Sequence, residues 1–217
     1  MKIKIAPSIL ASDFSRAGET VQKLETCGAD YIHCDVMDGS FVPPITFGHQ
    51  LVASIRPHTK LPLDCHLMVV HPETHFEAFK KAGADIVTIH LEACKNNLKE
   101  KLNKIRELGM KCGAVLNPDT PIEDVYDAVP YADMILVMSV FPGYGGQMFI
   151  DETLTRLEKL RTFCIKSGYP DFDIEVDGGI TEENVKTVIN AGANVIVAGS
   201  TVFRAADMKE TIKRLRG

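Results

Sequence analysis

The sequence predicts an α/β fold closed as a single (β/α)8 TIM barrel, and three observations support this. The first is a recurring unit in which a helix end runs into a buried strand: "CGADYIHCD" from 27, "AGADIVTIH" from 82, "YADMILVMS" from 131 and "AGANVIVAGS" from 191. In these units Gly28, Gly83 and Gly192 suit the left-handed residue that closes a helix, and the aliphatic runs after them are short enough to be strands buried on both faces. The second is that Ala29, Ala84, Ala132 and Ala193, taken as markers, stand two βα units apart, so the whole chain resolves into eight alternations. The third is that polar groups gather where the apolar runs end, which is where barrels of this kind carry their chemistry.

Taken in order, strands are expected near 3–8, 30–36, 61–67, 85–90, 110–116, 133–138, 172–177 and 194–198, with amphipathic or cap-marked helical segments between them. Asp13 and Ser15 are placed to cap a helix over 16–26, Thr181 with Glu182 and Glu183 opens another, and "DMKETIKRLR" at 207–216 forms the last. No linker, low-complexity run or charge block divides the chain, so residues 1–217 are expected to form one catalytic domain. A doubly wound open sheet is the structural alternative.

Composition narrows the function classes. Hydrophobic residues make up 45% and charged ones 24%, enough for one sizeable core. The net charge of −5 and pI near 5.8 argue against nucleic-acid or anionic-membrane partners, so any anion site must be local. The first residues reach Pro7, Ser8 and Asp13 too soon for a signal-peptide core, and no run approaches about 18 uninterrupted apolar residues; a cytoplasmic protein is expected. Six cysteines without a CxxC pair suit reduced core thiols, and alternation turns Cys34 and Cys65 away from their polar neighbours.

The strand ends carry the chemistry. Strand two ends with His33 and Asp35, strand three with Asp64 and His66, and strand seven with Asp177. Because side chains alternate, His33 and Asp35 share one face, as do Asp64 and His66. Any one of these residues alone is more simply read as a helix cap or loop partner, but three strands presenting them at one rim point to convergence. His33, Asp35, His66 and Asp177 form a mixed nitrogen and oxygen set suited to one divalent metal, Zn²⁺, Fe²⁺, Mn²⁺ or Co²⁺ rather than Ca²⁺. Asp64 lies one pleat deeper and is expected to hold an imidazole. Met37, Met68 and Met138 would each be ordinary core filling elsewhere; at this rim they would wall the site and keep water from a carbanion-like intermediate.

Glycines form the second constellation. "PGYGGQ" at 142–147 follows strand six, "DGG" at 177–179 strand seven, and "AGS" at 198–200 strand eight. A single glycine turn is weak evidence, but three on consecutive strand ends offer backbone N–H groups where such barrels bind phosphate, with the Ser200 hydroxyl as a further donor. No lysine accompanies these loops, so amides and dipoles are expected to carry the charge.

Together, "APSILASDF", "HCDVMDGSFVPPITFG", "DCHLMV", "HLEA", "VMSVFPGYGGQMF", "EVDGGI" and "VAGSTVFR" resemble the ribulose-phosphate 3-epimerase family from the first strand to the last helix. The resemblance implies interconversion of D-ribulose 5-phosphate and D-xylulose 5-phosphate, in the pentose phosphate pathway and the Calvin cycle. It makes His33, Asp35, His66 and Asp177 the ligands of one divalent metal, and Asp35 and Asp177 also the acid/base pair on opposite faces of the sugar. Ser8 and His66 would contact the substrate, Met37, Met68 and Met138 would cap it, and Gly143, Tyr144, Gly145, Gly146, Gly178, Gly179, Gly199 and Ser200 would hold its phosphate. Phe141 stands where a polar or acidic residue is expected and Ser40 where histidine is frequent; neither change removes a catalytic group. Epimerisation beside a ketone needs one proton removed from a face of C3 and one returned to the other, and a metal on the C2 and C3 oxygens would hold the cis-enediolate. A homo-oligomer is implied at the same level. The alternatives are allulose-6-phosphate 3-epimerase, a phosphosugar aldolase or decarboxylase, for which no strand-end lysine is present, and a non-catalytic phosphosugar-binding barrel.

Overall fold

The computed structural model describes residues 2–94 and 96–217. Eight strands form one all-parallel sheet: β1 (Lys4–Ala6), β2 (Ile32–Met37), β3 (Leu63–Met68), β4 (Ile86–His90), β5 (Lys111–Leu116), β6 (Met134–Met138), β7 (Asp173–Asp177) and β8 (Val195–Val197). Every strand falls on its expected run, and no end moves by more than two residues. Neighbours pair in sequence from β2 round to β8, and β8 pairs with β1. The remaining seam closes through Tyr31 N–H to Ile5 O at 3.2 Å, His33 N–H to Pro7 O at 3.1 Å and a parallel bridge between Ser8 and His33. This closed ring excludes the open doubly wound sheet.

The helices outside the ring are α1 (Ala17–Thr26), α2 (His49–Ile55), α3 (Phe76–Ala82), α4 (Leu91–Cys94), α5 (Leu98–Glu107), α6 (Glu152–Lys166), α7 (Val185–Asn190), α8 (Ser200–Phe203) and α9 (Met208–Arg214). Gly28, Gly83 and Gly192 close their helices with φ of 90°, 89° and 119°, as the repeat predicts. Three local details depart from the simplest sequence reading. Asp13 accepts the Ser15 N–H and so caps a 3₁₀ turn, Phe14–Arg16, that leads into α1 one residue late. The β5 to β6 crossover, Ile122–Tyr131, is 3₁₀ rather than α-helical and contains Pro130, whose ring nitrogen has no proton to donate. Thr181 and Asn184 exchange side-chain to backbone bonds one turn before α7, so Thr181 sets the approach and the helix starts at Val185. Asp207 does cap α9, accepting the Glu210 N–H at 3.1 Å.

Alternation along the strands sorts the side chains into two cores. Outward residues such as Ile32, Cys34, Val36, Cys65, Leu67, Val87 and Ile174 join the helices in one continuous apolar layer. The six cysteines are free thiols, and five of them are buried. Inside the ring, Tyr31, Ile86, Met134 and Val195 fill the amino-terminal floor. Gly113 is required there, because a Cβ would stand 2.7 Å from Met134 Cγ and 2.8 Å from Thr88 Cγ2. Above this plug the inward positions turn polar.

Candidate active site and metal centre

Register decides which side chains meet. In the β2–β3 ladder His33 lies beside Asp64, Asp35 beside His66 and Met37 beside Met68; across the ring Leu136 pairs with Glu175 and Met138 with Asp177. The inward residues therefore form levels, with His33, Asp64 and Glu175 below and Asp35, His66 and Asp177 above.

On the lower level Asp64 and His33 are fully buried, and Asp64 Oδ2 lies 2.7 Å from His33 Nδ1. This leaves His33 Nε2 turned toward Asp35, buried and without a well-formed protein hydrogen bond. Glu175, also fully buried, stands 3.6 Å from the same Nδ1. Burial, with the negative charge of Asp64 adding to it, pushes the Glu175 carboxyl well above its ordinary range.

On the upper level Asp35 Oδ1 is 3.3 Å from His33 Nε2 and 3.1 Å from His66 Nδ1, while Oδ2 accepts the Ser8 hydroxyl at 2.5 Å. Burial alone would raise the Asp35 pKa, but the His33 and His66 imidazoles outweigh it and hold the carboxyl far below the usual carboxylate range. His33 responds reciprocally: burial opposes its charge, and Asp35 and Asp64 raise its pKa well above the ordinary histidine value. Asp177 moves the other way from Asp35, to about 6, chiefly through burial and then through the Asp35 charge.

His33, Asp35, His66 and Asp177 each offer one ligand atom, and all four atoms lie within 4.8 Å of one another. The buried His33 Nε2, which makes no well-formed protein hydrogen bond, and the mixture of two imidazoles with two carboxylates fit a transition-type divalent cation. These are the four residues that the sequence reading grouped, and Asp64 lies behind His33.

A cavity of about 450 Å³ opens above this set. Ser8, Asp35 and Asp177 line it, and Met37, Met68 and Met138 form its apolar wall. His33 and His66 lie fully buried beneath, so His66, expected to touch the substrate, does not line the wall. Farther out the cavity meets Gly143, Tyr144, Gly145, Gly146, Gly178, Gly199 and Ser200. Gln147 ties down the first of these loops by donating to Phe141 O at 2.7 Å and Tyr144 O at 2.8 Å. Gly179 does not line the cavity; its φ of +66° lets the chain pass so close to Phe149 that a Cβ would sit 2.4 Å from the Phe149 nitrogen. The aspartate of "MDG", Asp38, is a loop anchor that accepts the N–H groups of Ser40, Phe41 and Val70. Phe141 and Ser40 are both exposed.

Two features were missed in the sequence. Arg204 reaches the cavity beside Ser200, supplying a cation where only amides were expected. His90 Nε2 lies 2.8 Å from His66 Nε2, and His90 Nδ1 lies 3.1 Å from Glu92 Oε2. Burial lowers the His90 pKa to about 4, and Glu92 falls to about 2 because its bonds to His90, Thr120 and Asn117 outweigh burial. "HLEA" held the signal, but the contact depends on a β3–β4 neighbour relation that a linear pattern does not reveal.

Among the described residues no helix is long and apolar enough to cross a membrane. Solved structures share the fold at low identity: a 3-hexulose-6-phosphate synthase at 20% identity and TM-score 0.70, covering 100% of this chain and 98% of that one, and KGPDC from Streptococcus mutans at 14% and 0.73, covering 100% and 96%. Sequence relatives are far nearer. A ribulose-phosphate 3-epimerase of Synechocystis sp. is 52% identical over 99% of this chain and 93% of its own. One from Bacillus subtilis is 46% identical over 99% of each. A chloroplastic ribulose-5-phosphate-3-epimerase of Arabidopsis thaliana is 48% identical over 99% of this chain and 76% of its own. The profile of the Ribulose-phosphate 3 epimerase family matches residues 4–203, and on this match and these relatives the chain belongs to the ribulose-phosphate 3-epimerase family.

Proposed function

We propose that this protein interconverts D-ribulose 5-phosphate and D-xylulose 5-phosphate by passing the C3 proton across the sugar between Asp35 and Asp177. The observation that carries the reading is that these two carboxyl groups line one cavity and are driven in opposite directions, Asp35 toward the ionised form and Asp177 toward the protonated one. Two carboxyls of unlike protonation are what an acid/base pair requires. The ionised Asp35 takes the C3 proton, the C–H electron pair moves toward the C2 carbonyl oxygen, and Asp177 returns its own proton to the opposite face of C3. In the reverse direction the roles exchange.

Ser8, donating to Asp35 Oδ2, fixes the direction in which that carboxylate points and leaves Oδ1 toward the imidazoles. The three methionines exclude water from the reacting carbon without offering a proton that would scramble the stereochemistry. His33, Asp35, His66 and Asp177 would hold the divalent cation, which when bound supplies Lewis-acid stabilisation of the negative charge developing on the sugar oxygens. The phosphate would lie against Gly146, Gly178, Gly199 and Ser200, with Arg204 as counter-charge, and its binding energy orients C3 between the two aspartates.

The test is an NMR time course of D-ribulose 5-phosphate with metal-replete protein in D₂O. The expected result is xylulose 5-phosphate carrying deuterium at C3, abolished in Asp177→Asn. Absence of both product and exchange would overturn the pentulose assignment, and turnover of the corresponding hexulose phosphate in the same assay would replace it.

A further inference from the structure

The two imidazoles of the candidate metal centre are supported differently. His33 is held directly by Asp64. Among the described residues no carboxylate stands behind His66; instead another fully buried imidazole, His90, presents Nε2 to His66 Nε2 at 2.8 Å. The ring centroids are 5.0 Å apart with planes 27° from parallel, as expected when two imidazoles meet edge to edge through one nitrogen each. His90 Nδ1 then meets Glu92 Oε2 at 3.1 Å, and Glu92 Oε1 accepts the Asn117 N–H at 2.8 Å and the Thr120 hydroxyl. Arg156 holds the same loop by donating to Asn117 O at 2.7 Å and Thr120 O at 3.1 Å. Phe41 packs on the His90 ring at 4.6 Å between centroids.

A neutral imidazole carries one proton and one lone pair, so the protons along this row are not independent. His66 turns Nδ1 toward Asp35 and the other ligand atoms, and that nitrogen must carry the lone pair if it is to ligate. Its proton is then on Nε2 and is donated to His90 Nε2; the His90 proton is on Nδ1 and is donated to the Glu92 carboxylate. With the His66 Nδ1 lone pair given to the cation, the His66–His90 and His90–Glu92 contacts each have one donor and one acceptor only in this arrangement.

We propose that His90 and Glu92 are positioning residues for the metal centre, fixing the tautomer and ring angle of His66 through a Glu92–His90–His66 hydrogen-bond row. The inference rests on the reading of His33, Asp35, His66 and Asp177 as metal ligands. It assigns to two residues outside that set a direct effect on metal affinity, of the size found when the outer partner of a ligating histidine is lost.

The test measures zinc affinity by competition with a chromophoric chelator, on the full chain, for wild type, His90→Phe, His90→Gln and Glu92→Gln. Phenylalanine keeps a planar ring but has no acceptor; glutamine can accept from His66 and donate to Glu92. His90→Phe and Glu92→Gln should weaken zinc binding, the former about 10- to 100-fold, and His90→Gln should recover most of the loss. Long-range ¹⁵N spectra of the zinc-loaded wild type should show His66 protonated at Nε2 and His90 at Nδ1. If wild type binds no zinc, the ligand reading itself fails, and this inference with it. If wild type binds zinc and His90→Phe binds it equally well, or His90→Gln is as weak as His90→Phe, or His90 carries its proton on Nε2, the ligand set stands and this inference is overturned. Should His90→Phe fail to fold, Glu92→Gln decides, and undiminished affinity in it overturns the proposal.

Discussion

The opposed behaviour of Asp35 and Asp177 gives a stability measurement that needs no substrate. In the absence of a bound cation Asp177 has a folded pKa of about 6 against an ordinary 3.8, so the folded state holds a proton that the unfolded chain releases earlier. By linkage this contribution is fully present below the unfolded value and is lost as pH rises through about 6. A gap of about two units at about 1.4 kcal/mol per unit corresponds to ~3 kcal/mol in total, and about 2 kcal/mol of it falls between pH 4.5 and 7. Urea unfolding of chelator-treated wild type and Asp177→Asn across that range measures it as the difference between the two proteins, which cancels groups that titrate in both. Wild type should lose about 2 kcal/mol relative to the variant as pH rises. A difference that stays flat with pH, or one that grows, would refute the assignment of Asp177 as the carboxyl that is protonated at rest.

Three further outcomes follow from other parts of the structure. Arg204→Gln should raise KM for a ketose phosphate about tenfold while leaving kcat nearly unchanged, since a phosphate contact remote from C3 contributes binding common to ground and transition states; steady-state kinetics would show it. Gly179→Ala places a Cβ against the Phe149 backbone at φ +66° and should destabilise the protein by at least about 2 kcal/mol in urea unfolding. Arg161→Met should lose about 3 kcal/mol by the same measurement, because the buried guanidinium donates to Gly192 O, Phe172 O, Pro170 O and Asn194 Oδ1, and methionine removes all four bonds, leaving only Asn194 Oδ1 its further bond from the Ile174 N–H.

How far the site could be read in advance depended on whether a feature is local along the chain. Strand positions were legible because an aliphatic run between glycine-closed helices is a local pattern, and the candidate ligand set was legible because period-two alternation puts His33 with Asp35, and Asp64 with His66, on one face, while Asp177 ends the seventh run. The resemblance then supplied roles that spacing alone left open. What stayed hidden belongs to register and to reach. Nothing in "DIEVD" distinguishes Glu175, an inward carboxyl whose pKa burial and Asp64 drive upward, from an ordinary strand residue, since that shift depends in part on a partner some hundred residues earlier in the chain. The same holds for His90, one strand beyond His66, and for Arg204, whose long side chain enters a cavity that its own helix merely borders. These are also the residues through which a barrel adjusts its chemistry without altering its ligands. If the β3–β4 neighbour relation sets the tautomer of His66, then part of the metal's environment is written in "HLEA", a segment that contributes no ligand itself, and substitutions there would retune the centre while every ligating residue stays in place.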